Sequence, residues 1–485
     1  MAGKYLRKRK FPWIPLLVIV LLALIAALAI LIGFVTQKPP QNSESATTLP
    51  ETTVPPTTTV PPTTLPPEPI VSTASFTVTG DLLMHKPVFN SCWDADAGDW
   101  IFDSIFTYVT SYVEAADYAV ANLETTLCGP YEENGMYAYS GYPVFNCPDG
   151  IAPASWDAGF DMMLTGNNHC YDTGTKGLSR TLRVLEESGL ETLGTQSDAD
   201  VADYKVIDVN GIKVGMVAYT YETSDGNPAV PSINGIPCRT DALGMISSFD
   251  YGQLPKFYDE IGAQFEAMKA EGAEAIVVFM HWGVEYTVEP TDSQKKIAQQ
   301  LCDMGVDVIV GGHPHVVEPV DLLTSTLDEN QKTLIIYSLG NAVSNQRIAQ
   351  MRLKTGHTED GILFNFTLAK YRDGSVDVIS TDCVPTWVYM TGGSKRYHIL
   401  PLDQTQMDSW KETFELNDTT YAACVDSYNR TMDLVGAGLE KAQTWFDSQN
   451  EIKSEILSDP NWKPAPATEP TEVTEAPTES TGATE

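Results

Sequence analysis

Imidazoles and cations are both scarce in this chain. Of its 485 residues seven are histidine, and 30 lysines and arginines face 64 aspartates and glutamates. A net charge of −34 repels phosphate backbones and anionic lipid headgroups, so nucleic acid is excluded as a partner. None of the eight cysteines forms a Cys-x-x-Cys spacing, which argues against a zinc–cysteine site. No internal repeat is present.

The few cations are unevenly placed. Lys4, Arg7, Lys8, Arg9 and Lys10 open the chain with no acid among them, and Phe11–Val35 then carries no charge. About 20 apolar residues span a bilayer as a helix, whereas a secretory signal usually has an apolar core of about 7–15. The small-residue cleavage candidate Ala27-Leu28-Ala29 lies inside the run rather than after it. The run therefore reads as an uncleaved anchor, with the basic segment cytoplasmic and the rest outside the cell membrane. Setting those five cations aside leaves −39 for everything that follows.

Composition divides the remainder. Residues 36–72 are rich in Thr, Pro and Ser and read as an extended stalk, and 451–485 read as an acidic, disordered Thr/Pro-rich tail. Between them 73–450 form one folded unit. Eight cysteines outside the membrane admit 105 pairings. Cys128 and Cys147, which flank a Gly/Tyr/Asn-rich loop, are the first pair expected.

Within the folded unit short apolar runs alternate with stretches of helical period. Helices are expected at 101–115, 175–188, 255–271 and 291–304. Hairpins are expected at Asn210-Gly211 and Asp373-Gly374, both dipeptides suited to type I′ turns. The sheets are therefore mixed, with helices outside them.

The apolar runs share one feature: each ends in polar residues. Phe76–Thr79 leads into Gly80-Asp81, Tyr118–Ala121 into Asn122-Leu123-Glu124, and Asp161–Leu164 into Asn167-Asn168-His169. Ala275–Met280 delivers His281, Val306–Val310 delivers His313 and His315, and Leu334–Tyr337 delivers Asn341. In open α/β sheets the site lies beyond the carboxyl ends of the strands. Convergence there would join carboxylates, carboxamides and imidazoles, a mixed oxygen and nitrogen set suited to zinc, manganese or iron rather than calcium. A lone histidine is more often a structural residue. Six such motifs after six apolar runs are harder to explain that way.

Together, Gly80-Asp81, Asn122-Leu-Glu124, Gly166-Asn-Asn-His169, His281-Trp-Gly-Val-Glu-Tyr286, Gly312-His-Pro-His315 and Tyr337-Ser-Leu-Gly-Asn341 resemble the CapA family of capsule and poly-γ-glutamate synthesis proteins. That family is related to calcineurin-like metallophosphoesterases, and the resemblance spans about residues 74–345. It implies an α/β four-layer sandwich of two mixed β-sheets flanked by helices. It also implies one or two divalent transition metal ions (Mn, Zn or Fe). Asp81 and His315 would hold the first ion, with Glu124 in the bridging position, where the wider superfamily usually has Asp. Asn168, His281 and His313 would hold the second. His169 would act as acid or transition-state stabiliser, oriented by Asp172, and Glu285 and Asn341 would line the site. Two residues after Asp81, where such phosphoesterases commonly place a histidine, this chain has Leu83, with His85 two further on.

The expected role is a membrane-anchored extracellular protein of capsule polymer synthesis or export, with other capsule-synthesis membrane proteins as partners. A metal-dependent phosphoester hydrolase of the cell envelope unrelated to capsule is the alternative from residue chemistry. A non-catalytic assembly factor is the alternative from family resemblance.

Overall fold

The computed structural model describes residues 68–130, 138–223, 231–242, 244–393 and 396–463. The expected anchor, nearly all of the stalk and the tail from 464 lie outside the described residues. Among the described residues no helix is long and apolar enough to cross a membrane.

The chain builds one sheet, leaves it for a second, and returns. It begins with β1 (Ile70–Leu82), β2 (Tyr118–Asn122), β3 (Met162–Leu164) and β4 (Glu191–Leu193). The second sheet takes β5 (Tyr204–Val209), β6 (Ile212–Tyr221), β7 (Ser248–Phe249), β8 (Ala275–His281), β9 (Val308–Gly312), β10 (Val320–Thr324) and β11 (Lys332–Ile336). The return adds β12 (Asn341–Val343), β13 (Asp360–Tyr371), β14 (Val376–Met390) and β15 (Tyr397–Pro401) to the first. The first sheet runs β15-β14-β13-β1-β2-β3-β4 with β12 beside β1, and the second runs β7-β6-β8-β9-β11-β10 with β5 beside β6. Both are mixed: β1 is parallel to β2 and antiparallel to β13, while β8 is parallel to β6 and β9 and β10 is antiparallel to β11.

Alternation along the strands decides the layering. Phe76, Val78 and Val120 of the first sheet meet Val214, Met216, Val277 and Val310 of the second in one buried core between the sheets. The opposite face of the first sheet, with Ala119, Ala121 and Met163, packs under short helices and under Val184 and Leu185 of α1 (Gly174–Glu187). Val217, Val278 and Ile309 on the outer face of the second meet Phe257, Ile261 and Phe265 of α2 (Leu254–Ala270) and Ile297 and Leu301 of α3 (Asp292–Asp303). Burying each such large apolar side chain contributes about 1.5–3 kcal/mol, which is ample to hold strand ends in fixed positions. A 40-residue helix, α4 (Asp418–Leu457), packs on β14 of the first sheet and β10 of the second, adding Val435, Ala442 and Phe446 to the inter-sheet core.

Four expectations need correction. The helix expected at 101–115 is two single turns, Asp103–Phe106 and Thr110–Val113, because Thr107-Tyr108-Val109 between them are poor helix formers. The Asn210-Gly211 turn has positive φ at both residues, as type I′ requires. At Asp373-Gly374 only Gly374 does, and Tyr371 and Ser375 close a three-residue loop instead. The boundary at 450 falls inside α4, whose end is tied down by the Arg372 guanidinium donating to the Leu457 carbonyl at 2.7 Å and stacking on Trp462. Cys128 and Cys147 are both free thiols. The Cys147 N–H donates to the Thr126 carbonyl and the Cys128 N–H to Asn146 Oδ1, so main-chain hydrogen bonds already close that loop, and the Cys147 side chain is buried in the core.

Candidate metal centre

The carboxyl ends of β1, β2 and β3 meet those of β8 and β9, and this brings the polar strand ends together. Asp81 leaves β1 beside Asn341 of β12. Glycine precedes Asp81 for a steric reason: a Cβ at Gly80 would come within 1.9 Å of the Gly340 carbonyl oxygen. The same holds at Gly311 ahead of the histidine turn, where a Cβ would lie 1.9 Å from the Tyr337 oxygen. The turn itself is strained. His313 and His315 adopt φ of 97° and 55°, and Tyr286, whose N–H donates to the Pro314 carbonyl at 2.8 Å, has φ of 65°. Non-glycine residues rarely hold such angles unless their surroundings fix them, and they cluster at functional sites.

Asp81, Glu124, Asn168, His169, Asp172, His281, His313 and His315 are all buried in this one cluster. Two triads share Glu124: Glu124 with His281 and His313, and Asp81 with Glu124 and His315, one ligand atom of each residue lying within 4.8 Å of the others. His281 Nε2 is 3.7 Å from Glu124 Oε1 and 2.8 Å from Asn168 Oδ1. On the other side His315 Nδ1 is 3.0 Å from Asp81 Oδ2 and 3.9 Å from Glu124 Oε2. His169 Nε2 lies 4.0 Å from Glu124 Oε1, and its Nδ1 is 2.7 Å from Asp172 Oδ2, which also accepts the Phe145 N–H at 2.7 Å.

Whether this set suits a cation can be judged from what it leaves unpaired. Among the described residues neither oxygen of Glu124 has a hydrogen-bond partner, and neither does His313 Nδ1, although all three atoms are buried. Such atoms are costly unless something faces them. Burial first, and then the charge of Asp81, pushes the Glu124 carboxyl well above the usual range. Burial, together with the neighbouring imidazoles, holds His281 and His313 well below theirs. Neutral imidazole is the ligand form, and a carboxylate stranded between histidines gains most from a shared cation. The donor set fits one or two divalent transition ions.

Sequence reasoning missed several supports. Asn122 donates to Asp81 Oδ1 at 2.7 Å, and Asn167 donates to Asn122 Oδ1 at 3.0 Å. Asn341 does not face the triads through its amide nitrogen, which donates to the carbonyls of His315 and Thr358 and to Gln346. Its role is to brace the histidine turn. Asn234, on a small hairpin, reaches His169 Nδ1 at 3.3 Å and Asp172 Oδ1 at 3.4 Å. Glu285 is exposed at the mouth. His85 belongs to neither triad, yet burial and the nearby His315 lower its pKa to about 4, so it borders the centre after all.

Two mixed sheets carrying these triads at their strand ends define an α/β protein with a candidate dinuclear metal centre. Residues 75–346, more than half of the chain, match the model of the bacterial capsule synthesis protein PGA_cap family, and the chain belongs to that family. It is 29% identical over 316 residues to the PGA biosynthesis protein CapA of Bacillus subtilis, covering 64% of this chain and 72% of that protein. To the capsule biosynthesis protein CapA of Bacillus anthracis it is 27% identical over 306 residues, 63% of this chain and 66% of that one. A 5′-nucleotidase of Diplobatis ommata matches at 31% over 189 residues, 36% of this chain and 27% of its own.

Proposed function

We propose that this chain is a membrane-anchored extracellular protein of capsule polymer synthesis or export, of the poly-γ-glutamate type, acting through a metal centre built on Glu124. The observation that carries the reading is the shared carboxylate: two triads meet at Glu124, whose buried oxygens have no hydrogen-bond partner among the described residues. Asp81 and His315 would hold one ion and Asn168, His281 and His313 the other, with manganese, zinc or iron suited to the donors. When bound, such ions polarise a phosphoryl or acyl oxygen and lower the pKa of water.

The remaining residues have roles of their own. Asp172 fixes the His169 ring through Nδ1, leaving Nε2 toward Glu124 as the atom that can pass a proton to a leaving group. Asn122 orients Asp81, and Asn341 holds the turn that carries His315. The anchor at 11–35, the stalk and capsule-synthesis membrane partners belong to the same reading. The anchor is supported by the uncharged run Phe11–Val35, and the capsule partners by the capsule and PGA biosynthesis names of the relatives. A second reading, phosphoester hydrolysis in the cell envelope apart from capsule, is favoured by the similarity to a 5′-nucleotidase.

The test uses full-length protein and a capsule-forming cell lacking its own member of this family. Purified wild type should carry transition metal and restore polymer production. His281→Ala and His313→Ala should lose metal and fail to restore polymer, with melting temperatures close to that of chelator-treated wild type. A wild type that binds no transition metal on addition ends the metal reading. Full polymer restoration by both variants ends the link between the centre and capsule. Hydrolysis within a panel of phosphomonoesters and phosphodiesters without polymer restoration favours the second reading.

A further inference from the structure

The first sheet is not covered evenly on its outer face. Around β2 and β3 that face is apolar and lies under helices. Across β1, β13 and β14 it turns polar: Ser75, Thr77, Asn365, Thr367 and Asp382 share the side on which Ala119 and Met163 lie. A cavity of about 640 Å³ stands over them, within the roughly 300–1,000 Å³ usual for small-molecule sites.

Its floor is organised. Thr77 Oγ1 donates to Asn365 Oδ1 at 2.7 Å, and the Asn365 amide donates to Asp382 Oδ1 at 2.5 Å. Thr77 is only 4% exposed and Asn365 is half-buried, while Asp382 stands exposed at the outer end of the row. The walls are aromatic and come from opposite ends of the folded unit: Tyr108 from between the two early helical turns and Tyr112 from the second of them, Trp410 and Phe414 from the segment before α4. Tyr112 and Gln406 both bond to Asp403 Oδ2, which joins the two walls. Trp410 is 1% exposed, and its indole N–H has no hydrogen-bond partner among the described residues.

The cavity is separate from the metal centre, with which it shares no residue. Thr77 and Asp81 are four positions apart on β1, about 13 Å. Its chemistry is also different. No lysine or arginine lines it, and Asp382 is the one charged residue among the described lining residues. A polyanion would find no counter-charge there. Flat aromatic walls over a row of hydroxyl, carboxamide and carboxylate groups match a ligand with apolar C–H faces and a ring of hydroxyls.

We propose that this cavity binds a neutral oligosaccharide segment. Half-exposed Asn365 and Thr367 and exposed Asp382 direct hydrogen bonds to its hydroxyl groups, and the half-exposed rings of Tyr108 and Tyr112 stack on the ring faces, with Phe414 and Trp410 packed behind Tyr108. The site is a carbohydrate contact of the ectodomain, distinct from the centre at Glu124, and it does not depend on the function proposed for that centre.

The experiment titrates full-length protein, in a detergent without a sugar headgroup, with triacetylchitotriose, cellotriose and maltotriose. Calorimetry and tryptophan fluorescence are the readouts, and choline and poly-γ-glutamate are the comparison probes. At least one trisaccharide should bind in the micromolar to low millimolar range and alter tryptophan emission. Asp382→Ala, at an exposed position, should weaken binding by about tenfold, as expected for losing a charged hydrogen-bond acceptor. Ser111→Trp, exposed at the cavity rim, should block binding with melting temperature and metal content unchanged. Three outcomes overturn the proposal: no trisaccharide binding at about 10 mM, binding unaffected by either variant, or binding of choline or poly-γ-glutamate in place of the trisaccharides.

Discussion

Both oxygens of Glu124 are buried without a hydrogen-bond partner among the described residues, so this carboxylate strains the fold wherever no cation faces it. Glu124→Gln keeps the shape and removes the charge. In chelator-treated protein it should raise stability by about 1–3 kcal/mol, measured by denaturant unfolding, while metal affinity falls at least tenfold. A drop in metal-free stability would show that Glu124 is a structural residue. Glu318, three residues past His315, offers an independent check on buried charge. It is fully buried, accepts from Gln294 at 2.7 Å through Oε2, and burial pushes its pKa to about 8. Because the folded value exceeds the unfolded one, its contribution is fully present below about 4.5 and is lost as pH rises through about 8. Glu318→Gln should flatten that part of the stability profile, gaining roughly 1–4 kcal/mol relative to wild type between pH 5 and 9. Parallel thermal melts of the two proteins across that range check it, and parallel slopes would contradict it.

At the scale of elements, α4 packs on both sheets and supplies no residue to either triad, so its position can be perturbed without touching the ligands. Gly438 lies so close to β10 that a Cβ would come within 1.8 Å of the Val320 carbonyl oxygen. Backbone cannot yield as a flexible side chain can, so Gly438→Ala should destabilise the protein by about 2 kcal/mol or more despite alanine's better helix propensity. Calorimetric melting of metal-loaded protein tests this, and an unchanged or raised melting temperature would mean that α4 can slide. The same helix marks the limit of what the sequence disclosed. Its buried positions include Cys424, Ser427, Thr431, Val435, Ala442 and Phe446, spaced at the helical period, but half are polar or small, so no apolar stripe is visible. Ser427 is buried because it donates to Asp360, which also holds Arg430, and only tertiary structure supplies that partner. The strands of the centre were legible for the opposite reason. Each is a short apolar run buried on both faces and cut off by Asp, Asn, Glu or His, so strand and ligand appear in adjacent residues. Asn234 was not legible, because it reaches Asp172 from 62 residues away on a hairpin with no apolar run to announce it.

For the whole molecule, charge sets the terms of any encounter with the proposed polymer. The chain carries −34, and a poly-γ-glutamate strand carries one carboxylate per residue, so their long-range interaction is repulsive. Within the centre, the ion-pair partners of Asp81, Glu124 and Asp172 among the described residues are all histidines, so bound metal is the local positive charge available there. These two facts predict an unusual salt dependence. The screening length shortens from about 30 Å at 0.01 M salt to about 10 Å at 0.1 M and 3 Å at 1 M. Added salt should therefore relieve the global repulsion before it weakens a buried metal–carboxylate contact. Affinity of the metal-loaded protein for poly-γ-glutamate should rise several-fold from about 0.01 M to about 0.2 M sodium chloride, the reverse of what a nucleic-acid binder shows. Chelation should abolish binding at every salt concentration. Sedimentation with labelled polymer across that series measures both effects. An affinity that falls steeply with salt and survives chelation would place recognition on a cationic surface patch instead and detach the polymer from the Glu124 centre.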